Sequence, residues 1–194
     1  MSQIVVIGAS LGGLNALERV LHGLPADFAL PVLVVQHRSE EGPALLAGLL
    51  GRHSPLQVCE AEDKSPLIGG PPARVLVAPA GYHALVEPGH VSLSTEGHVR
   101  YSRPSIDVAL ETAAEAYGER AVGVVLTGAN DDGAHGLAEV RRRGGVAIVQ
   151  DPAEAESRPM PEAAIAAADP QWILGLEEIG PRLAAIAAGA EVRR

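Results

Sequence analysis

The chain has 194 residues, 24 acidic against 15 basic side chains, a formal charge of −9 and 47% hydrophobic residues. This length suits one compact α/β domain, and the acidic surface opposes nucleic-acid phosphates unless a local basic patch overrides it. No apolar run approaches the ~20 residues that span a bilayer, no basic flank marks a signal peptide, and the single cysteine, Cys59, allows no internal disulfide, so a reducing cytoplasm is the expected setting.

In chain order, "IVVI" (4–7) predicts a first strand that runs through "GASLGG" into a helix over 13–23. "VLVVQ" (32–36) predicts the next strand, followed by a helix over 43–51 and a strand "LQVCE" (56–60), in which Cys59 reads as a buried strand residue. "IGGPP" (68–72) is a loop too short to separate domains. A strand "RVLVA" (74–78) follows, and then "HALVEPGHVSLS" (83–94), two short runs about Pro88-Gly89 that predict an antiparallel hairpin. The remainder alternates: helix 105–116, strand "VGVVL" (122–126), helix 134–143, strand "VAIVQ" (146–150), and helices over 161–167 and 178–188, with Pro161 suited to a first helical turn. Arg141-Arg142-Arg143, ahead of Gly144-Gly145, reads as the cationic last turn of its helix rather than a phosphate-binding patch. Strands that are continuously apolar, separated by helices, predict an α/β fold: a doubly wound, mostly parallel sheet with helices on both faces and an antiparallel β-hairpin, over 1–194 as a single domain.

The turn after the first strand admits two chemistries. A dinucleotide fingerprint needs G-x-G-x-x-G and an acid at the end of the second strand. Here Gly8–Gly13 reads G-A-S-L-G-G, with Ser10 at the middle glycine, and the second strand ends in Gln36-His37. Both discriminating positions disagree. Gly8-Ala9-Ser10-Leu11-Gly12 instead matches G-x-S-x-G, a tight strand-to-helix turn that exposes a serine hydroxyl beside free helix amides.

A serine nucleophile needs a base, and the base an orienting carboxylate. Of seven histidines, His37 stands directly at the carboxyl end of an apolar strand, where neighbouring βα loops gather. His83 and His135, each in a loop after a strand, are its rivals; His22, His90 and His98 fall in a helix or near the hairpin. Asp131, Asp132 and Asp151 are equivalent candidates for the acid, all following strands. The order Ser…His…Asp differs from that of the α/β-hydrolases. No histidine spacing resembles a zinc motif, so neither a metal nor an organic cofactor is expected.

With these residues in place, the chain resembles the catalytic domain of the chemotaxis protein-glutamate methylesterases of the CheB type. The matching segments are "IGASLGG" (7–13), "VVQH" (34–37), "AEDKSPLIGG" (61–70), "VLVAPAGYH" (75–83), "SRPSIDV" (102–108), "AVGVVLTGANDDGAHGL" (121–137) and "MPEAAI" (160–165). The resemblance implies a triad of Ser10, His37 and Asp132, and it is the resemblance that selects Asp132 over Asp131. It implies hydrolysis of glutamyl methyl esters on the cytoplasmic domains of methylated chemoreceptors, giving glutamate and methanol, with neither nucleic-acid binding nor membrane insertion; it leaves deamidation of receptor glutamines and the oligomeric state open. Three departures are expected to matter. Leu11 stands where the family commonly has Thr, Ala129-Asn130 replaces the last two residues of a T-G-M-G loop, and the family's receiver domain has no counterpart ahead of the elbow, leaving no phosphorylation control in cis. They keep a second reading in view, a catalytically impaired scaffold or receptor-binding module. Arg103 is a candidate contact for an acidic receptor helix, with a structural ion pair as the alternative.

Overall fold

The computed structural model describes residues 3–38 and 45–189. Their elements are β1 (Ile4–Ala9), α1 (Gly13–His22), β2 (Val32–Gln36), α2 (Leu46–Gly51), β3 (Gln57–Glu60), β4 (Ser65–Pro66), β5 (Arg74–Val77), β6 (His83–Glu87), β7 (His90–Ser94), α3 (Ile106–Tyr117), β8 (Ala121–Val125), α4 (Ala134–Arg142), β9 (Val146–Gln150), α5 (Pro159–Ala168), β10 (Trp172–Leu174) and α6 (Leu176–Ala187). Seven strands form one parallel sheet in the order β10-β9-β8-β1-β2-β5-β3, and β4-β7-β6 form a small antiparallel one.

Uninterrupted apolar strands make sense in this sheet because each strand divides its side chains between two covered faces. Ile4 and Val6 of β1 join Ile106, Leu110, Leu137 and Ala164 from α3, α4 and α5. Val5 and Ile7 point the other way, to Leu17 and Leu21 of α1 and Ile179 and Leu183 of α6. Each such buried aliphatic side chain contributes about 1.5–3 kcal/mol of transfer free energy, and β1, like β2 and β8, is walled on both faces and paired on both edges.

The expected strands and helices form with shifted ends. Positions 43–44 of the helix predicted over 43–51 lie outside the described residues; the remainder forms α2. The helix predicted at 161–167 begins two residues earlier, so Pro159 takes the first helical position and Pro161 the third, both within the first turn. The helix predicted at 178–188 likewise starts at Leu176. Arg141 and Arg142 close α4 as expected, and Arg142 and Arg143 both grip Glu139, whose carboxyl is lowered to about 2 by those two hydrogen bonds. Cys59 is half-buried on β3 rather than fully enclosed.

The hairpin 83–94 forms β6 and β7 and gains β4 as an unforeseen third strand. It forms a sheet of its own and stands against α3. The Val86 amide donates to Thr112 Oγ1 at 3.0 Å, the Gly89 amide donates to the Tyr117 hydroxyl at 3.1 Å, and Ala84, Val86 and Val91 enter the α3 core. Among the described residues no helix is long and apolar enough to cross a membrane.

Candidate active site

The carboxyl ends of β8, β1 and β2 lie side by side, with Ser10 and His37 directly after β1 and β2 and Asp132 in the loop after β8. Ser10 still belongs to the ladder, its amide donating to the Thr127 carbonyl at 2.9 Å; the His37 amide donates to Ala9 at 3.0 Å. Both residues are therefore held by the last rungs of the sheet, not by free loops. The Ser10 hydroxyl lies 3.2 Å from His37 Nδ1, and His37 Nε2 lies 2.6 Å from Asp132 Oδ2.

The imidazole is used in the opposite sense from the familiar serine-protease arrangement, in which Nε2 faces the serine. Strand order explains it. His37 leaves β2, Ser10 the adjacent β1, and Asp132 follows β8 one strand further on. The ring nitrogen nearer the backbone meets the near neighbour, and the distal nitrogen reaches the far one. With its proton on Nε2 toward the carboxylate, the ring presents the Nδ1 lone pair to the Ser10 hydroxyl.

The glycines of the elbow serve the protein's own side chains. Gly12 adopts φ +77°, and a Cβ there would lie 2.7 Å from that of Glu156. A Cβ at Gly13 would fall 2.0 Å from Gln36 Oε1. What a Cβ at either glycine would meet is thus the side chain of Glu156 or Gln36. Gln36 Nε2 donates to the carbonyls of both Ser10 and His37, at 2.8 and 3.0 Å, tying the two turns together. Gln36 carries the signal "VVQH" alongside His37, yet its buried clasp depends on a partner 26 residues away and is not visible in the pattern.

Asp132 is completely buried and its carboxylate is saturated. Oδ2 accepts from His37 and the Ile106 amide (2.7 Å); Oδ1 accepts from the Ser105 hydroxyl (2.9 Å) and the Asp107 amide (3.0 Å). Two of these donors are first-turn amides of α3, the positive end of the helix dipole. Burial pushes this carboxyl up, but the hydrogen bonds from His37 and from the Asp107 and Ile106 amides outweigh it and hold it below the ordinary value. Asp107, on α3, returns the favour to α4: its Oδ1 accepts from the Gly133 and Gly136 amides at 2.9 and 2.7 Å. Burial raises its carboxyl above the ordinary value; the Gly136 amide and Arg100 oppose that, and the charge of Asp132 adds to it.

The rivals are engaged elsewhere. His83 is buried, accepting from the Ser105 amide and bonded through Nε2 to the Gly97 carbonyl. His135 sits exposed on α4 against Glu111, at 2.7 Å. Asp131 faces Arg100 in solvent, and Asp151 caps a turn at the Ala153 amide. Arg103 Nη1 donates to the carbonyls of Thr95 and Glu96, a structural role within its loop. Among the described residues no group of three or more His, Cys, Asp or Glu could hold a metal ion.

Beside Ser10 opens a cleft of about 590 Å³ bordered by Leu11, Leu14, Gln36, His37 and Glu156. Leu11, the residue that departs from Thr, is 56% exposed on its rim, giving the cleft an apolar lip. The Gly128 amide is occupied by the Ser157 carbonyl at 3.1 Å, whereas those of Leu11 and Ala129 donate to no acceptor among the described residues. Asn130 Oδ1 accepts from the Asp132 amide at 3.3 Å, which shapes the loop carrying the acid. The Ala129-Asn130 departure therefore changes side chains while leaving backbone donors in the loop.

A family model described as CheB methylesterase matches residues 5–183. A Leptospira interrogans protein whose name carries both protein-glutamate methylesterase and protein-glutamine glutaminase is 42% identical over 178 residues, covering 91% of each chain. The Myxococcus xanthus protein-glutamate methylesterase FrzG is 40% identical over 181 residues; the match takes in 93% of this chain and 53% of that one, so the chain spans about half the length of such relatives. The crystal structure of the Thermotoga maritima CheB methylesterase catalytic domain superposes with a TM-score of 0.87 at 32% identity, covering 96% of this chain and 99% of that one. By sequence over nearly its whole length and by fold, the chain belongs to the CheB methylesterase family.

Proposed function

We propose that the protein is a serine hydrolase that removes methyl groups from glutamyl esters on the cytoplasmic domains of methylated chemoreceptors. The observation that carries this reading is the hydrogen-bonded row Ser10–His37–Asp132 at the mouth of a cleft. The Ser10 hydroxyl attacks the ester carbonyl as its proton passes to His37 Nδ1. The resulting tetrahedral oxyanion is stabilised by backbone amides, with those of Leu11 and Ala129 among the donors not otherwise engaged. Collapse expels methoxide, which takes the Nδ1 proton and leaves as methanol. Water then attacks the glutamyl-serine ester, with His37 again as base, and glutamate is released. Asp132, anionic and fixed by four donors, holds the Nε2–H tautomer and stabilises the imidazolium. The same attack on a glutaminyl amide releases ammonia.

Methanol release from a methylated receptor cytoplasmic domain, with ammonia as the readout for the amide branch, tests the proposal. Ser10→Ala is expected to lower kcat by about 10⁶-fold. Equal rates for wild type and Ser10→Ala overturn the catalytic role of Ser10, and no methanol release from either leaves the scaffold reading in its place.

A further inference from the structure

Two hydroxyls, not one, converge on the nitrogen that faces the nucleophile. Ser102 Oγ lies 3.4 Å from His37 Nδ1, beside the 3.2 Å approach of Ser10 Oγ. The backbone that delivers Ser102 is unusual. Val99 and Ser102 close a two-residue turn through reciprocal amide–carbonyl bonds of 3.1 and 2.8 Å. Its central residues, Arg100 and Tyr101, both take positive φ, +47° and +63°, and neither is glycine. Such conformations cost about 1–3 kcal/mol each and persist only where surrounding contacts impose them. Here Arg100 supplies the contacts: Nε donates to Asp107 at 2.8 Å and Nη1 to Asp131 at 2.6 Å, while Tyr101 at the tip is fully exposed and buries nothing in return. The turn is thus locked onto Asp107 in the first turn of α3, the helix whose amides hold Asp132, and onto Asp131 beside that acid, and what it presents to the site is the Ser102 hydroxyl.

We infer that Ser102 is a positioning residue for the base, an inference that rests on the esterase reading above. A serine hydroxyl both donates and accepts. In the resting enzyme the single Nδ1 lone pair accepts from Ser10, with Ser102 Oγ beside it; once the Ser10 proton has moved to the ring, Ser102 Oγ accepts from Nδ1–H. Its weight falls on the second half of the cycle. When Ser10 is acylated it no longer offers a hydroxyl to the ring, and Ser102 is then the protein hydroxyl that accepts from Nδ1–H as incoming water gives up its proton.

The test uses the whole chain with p-nitrophenyl acetate, following p-nitrophenol through the burst and the steady state. Ser102→Ala is expected to keep the burst and to lower the steady-state rate by about three- to tenfold, the range of one hydrogen bond, with KM falling in step so that kcat/KM is unchanged. Ser102→Thr, which retains the hydroxyl, restores the rate. Ser102→Cys, which fills the volume with a weak hydrogen-bonding group, tracks Ala. A steady-state rate in Ser102→Ala equal to wild type, or recovery by Cys as full as by Thr, overturns the inference while Ser10→Ala remains silent. If Ser10→Ala itself turns over like wild type, the esterase reading fails first, and the two failures are told apart.

Discussion

Among the described residues, two regions gather a serine, a histidine and a carboxylate within hydrogen-bonding distance, and in only one of them does the histidine stand between the other two. On the small sheet, the Ser92 hydroxyl donates to Glu87, His90 Nε2 lies 3.4 Å from the same carboxylate, and Lys64 reaches all three residues. There the acid sits between hydroxyl and imidazole, so the ring does not face the hydroxyl as a base. Glu87 is 44% exposed, and its carboxyl is lowered chiefly by the Ser92 hydroxyl. At the edge of the large sheet the ring occupies the middle of the row, and the acid behind it has no exposed surface. The order of contacts and the burial of the carboxylate, not the set of residue types, separate a relay from a surface ion network.

The sharpest way to break this contrast is to alter the acid. Asp132→Asn is expected to lower kcat for ester hydrolysis by about 10⁴-fold, because the imidazole loses the partner that fixes its tautomer, whereas Asp131→Asn leaves most activity in a burst assay. A larger loss in Asp131→Asn would reverse the assignment. Next in size, Asp107→Asn is expected to cost about 1–2 kcal/mol in urea unfolding, since it weakens acceptance from the Gly133 and Gly136 amides that begin α4.

A pH series sharpens the same point. The Asp132 carboxyl is lowered in the folded state, so its stabilisation is complete above the unfolded value, about pH 4, and is lost as pH falls through the folded value. The urea midpoint of wild type should exceed that of Asp132→Asn at pH 6, with the gap closing only below pH 4. A gap that closes at higher pH would contradict the direction of the shift. The smallest effect belongs to the other region: Ser92→Ala on the hairpin should leave ester turnover unchanged, and any loss of kcat there would dissolve the contrast.

Strand ends were legible because their chemistry is local. Ser10 and His37 follow apolar runs directly, and the parallel-sheet rule gathers such ends along one edge. Choosing between Asp131 and Asp132 was not possible from spacing, because neighbours in a turn differ in which way they point; one meets solvent and Arg100, the other the buried amides of α3. The clasp of Gln36 and the approach of Ser102 depend on contacts 26 and 65 residues apart in the chain, beyond any periodicity. β4 and β10 escaped notice because strands of two and three residues carry too little pattern, and β10 takes its register entirely from its parallel neighbour β9.

The crossed carboxylates of α3 and α4 have an evolutionary consequence. Asp132 serves the ring and the start of a helix at once, so a descendant that abandoned hydrolysis would still be selected to retain it. Ser10, whose hydroxyl bonds only to His37 among the described contacts, has no such second duty. In any degenerate relative, the first letter to drift should be the serine, and survival of the aspartate alone would testify to architecture, not to turnover.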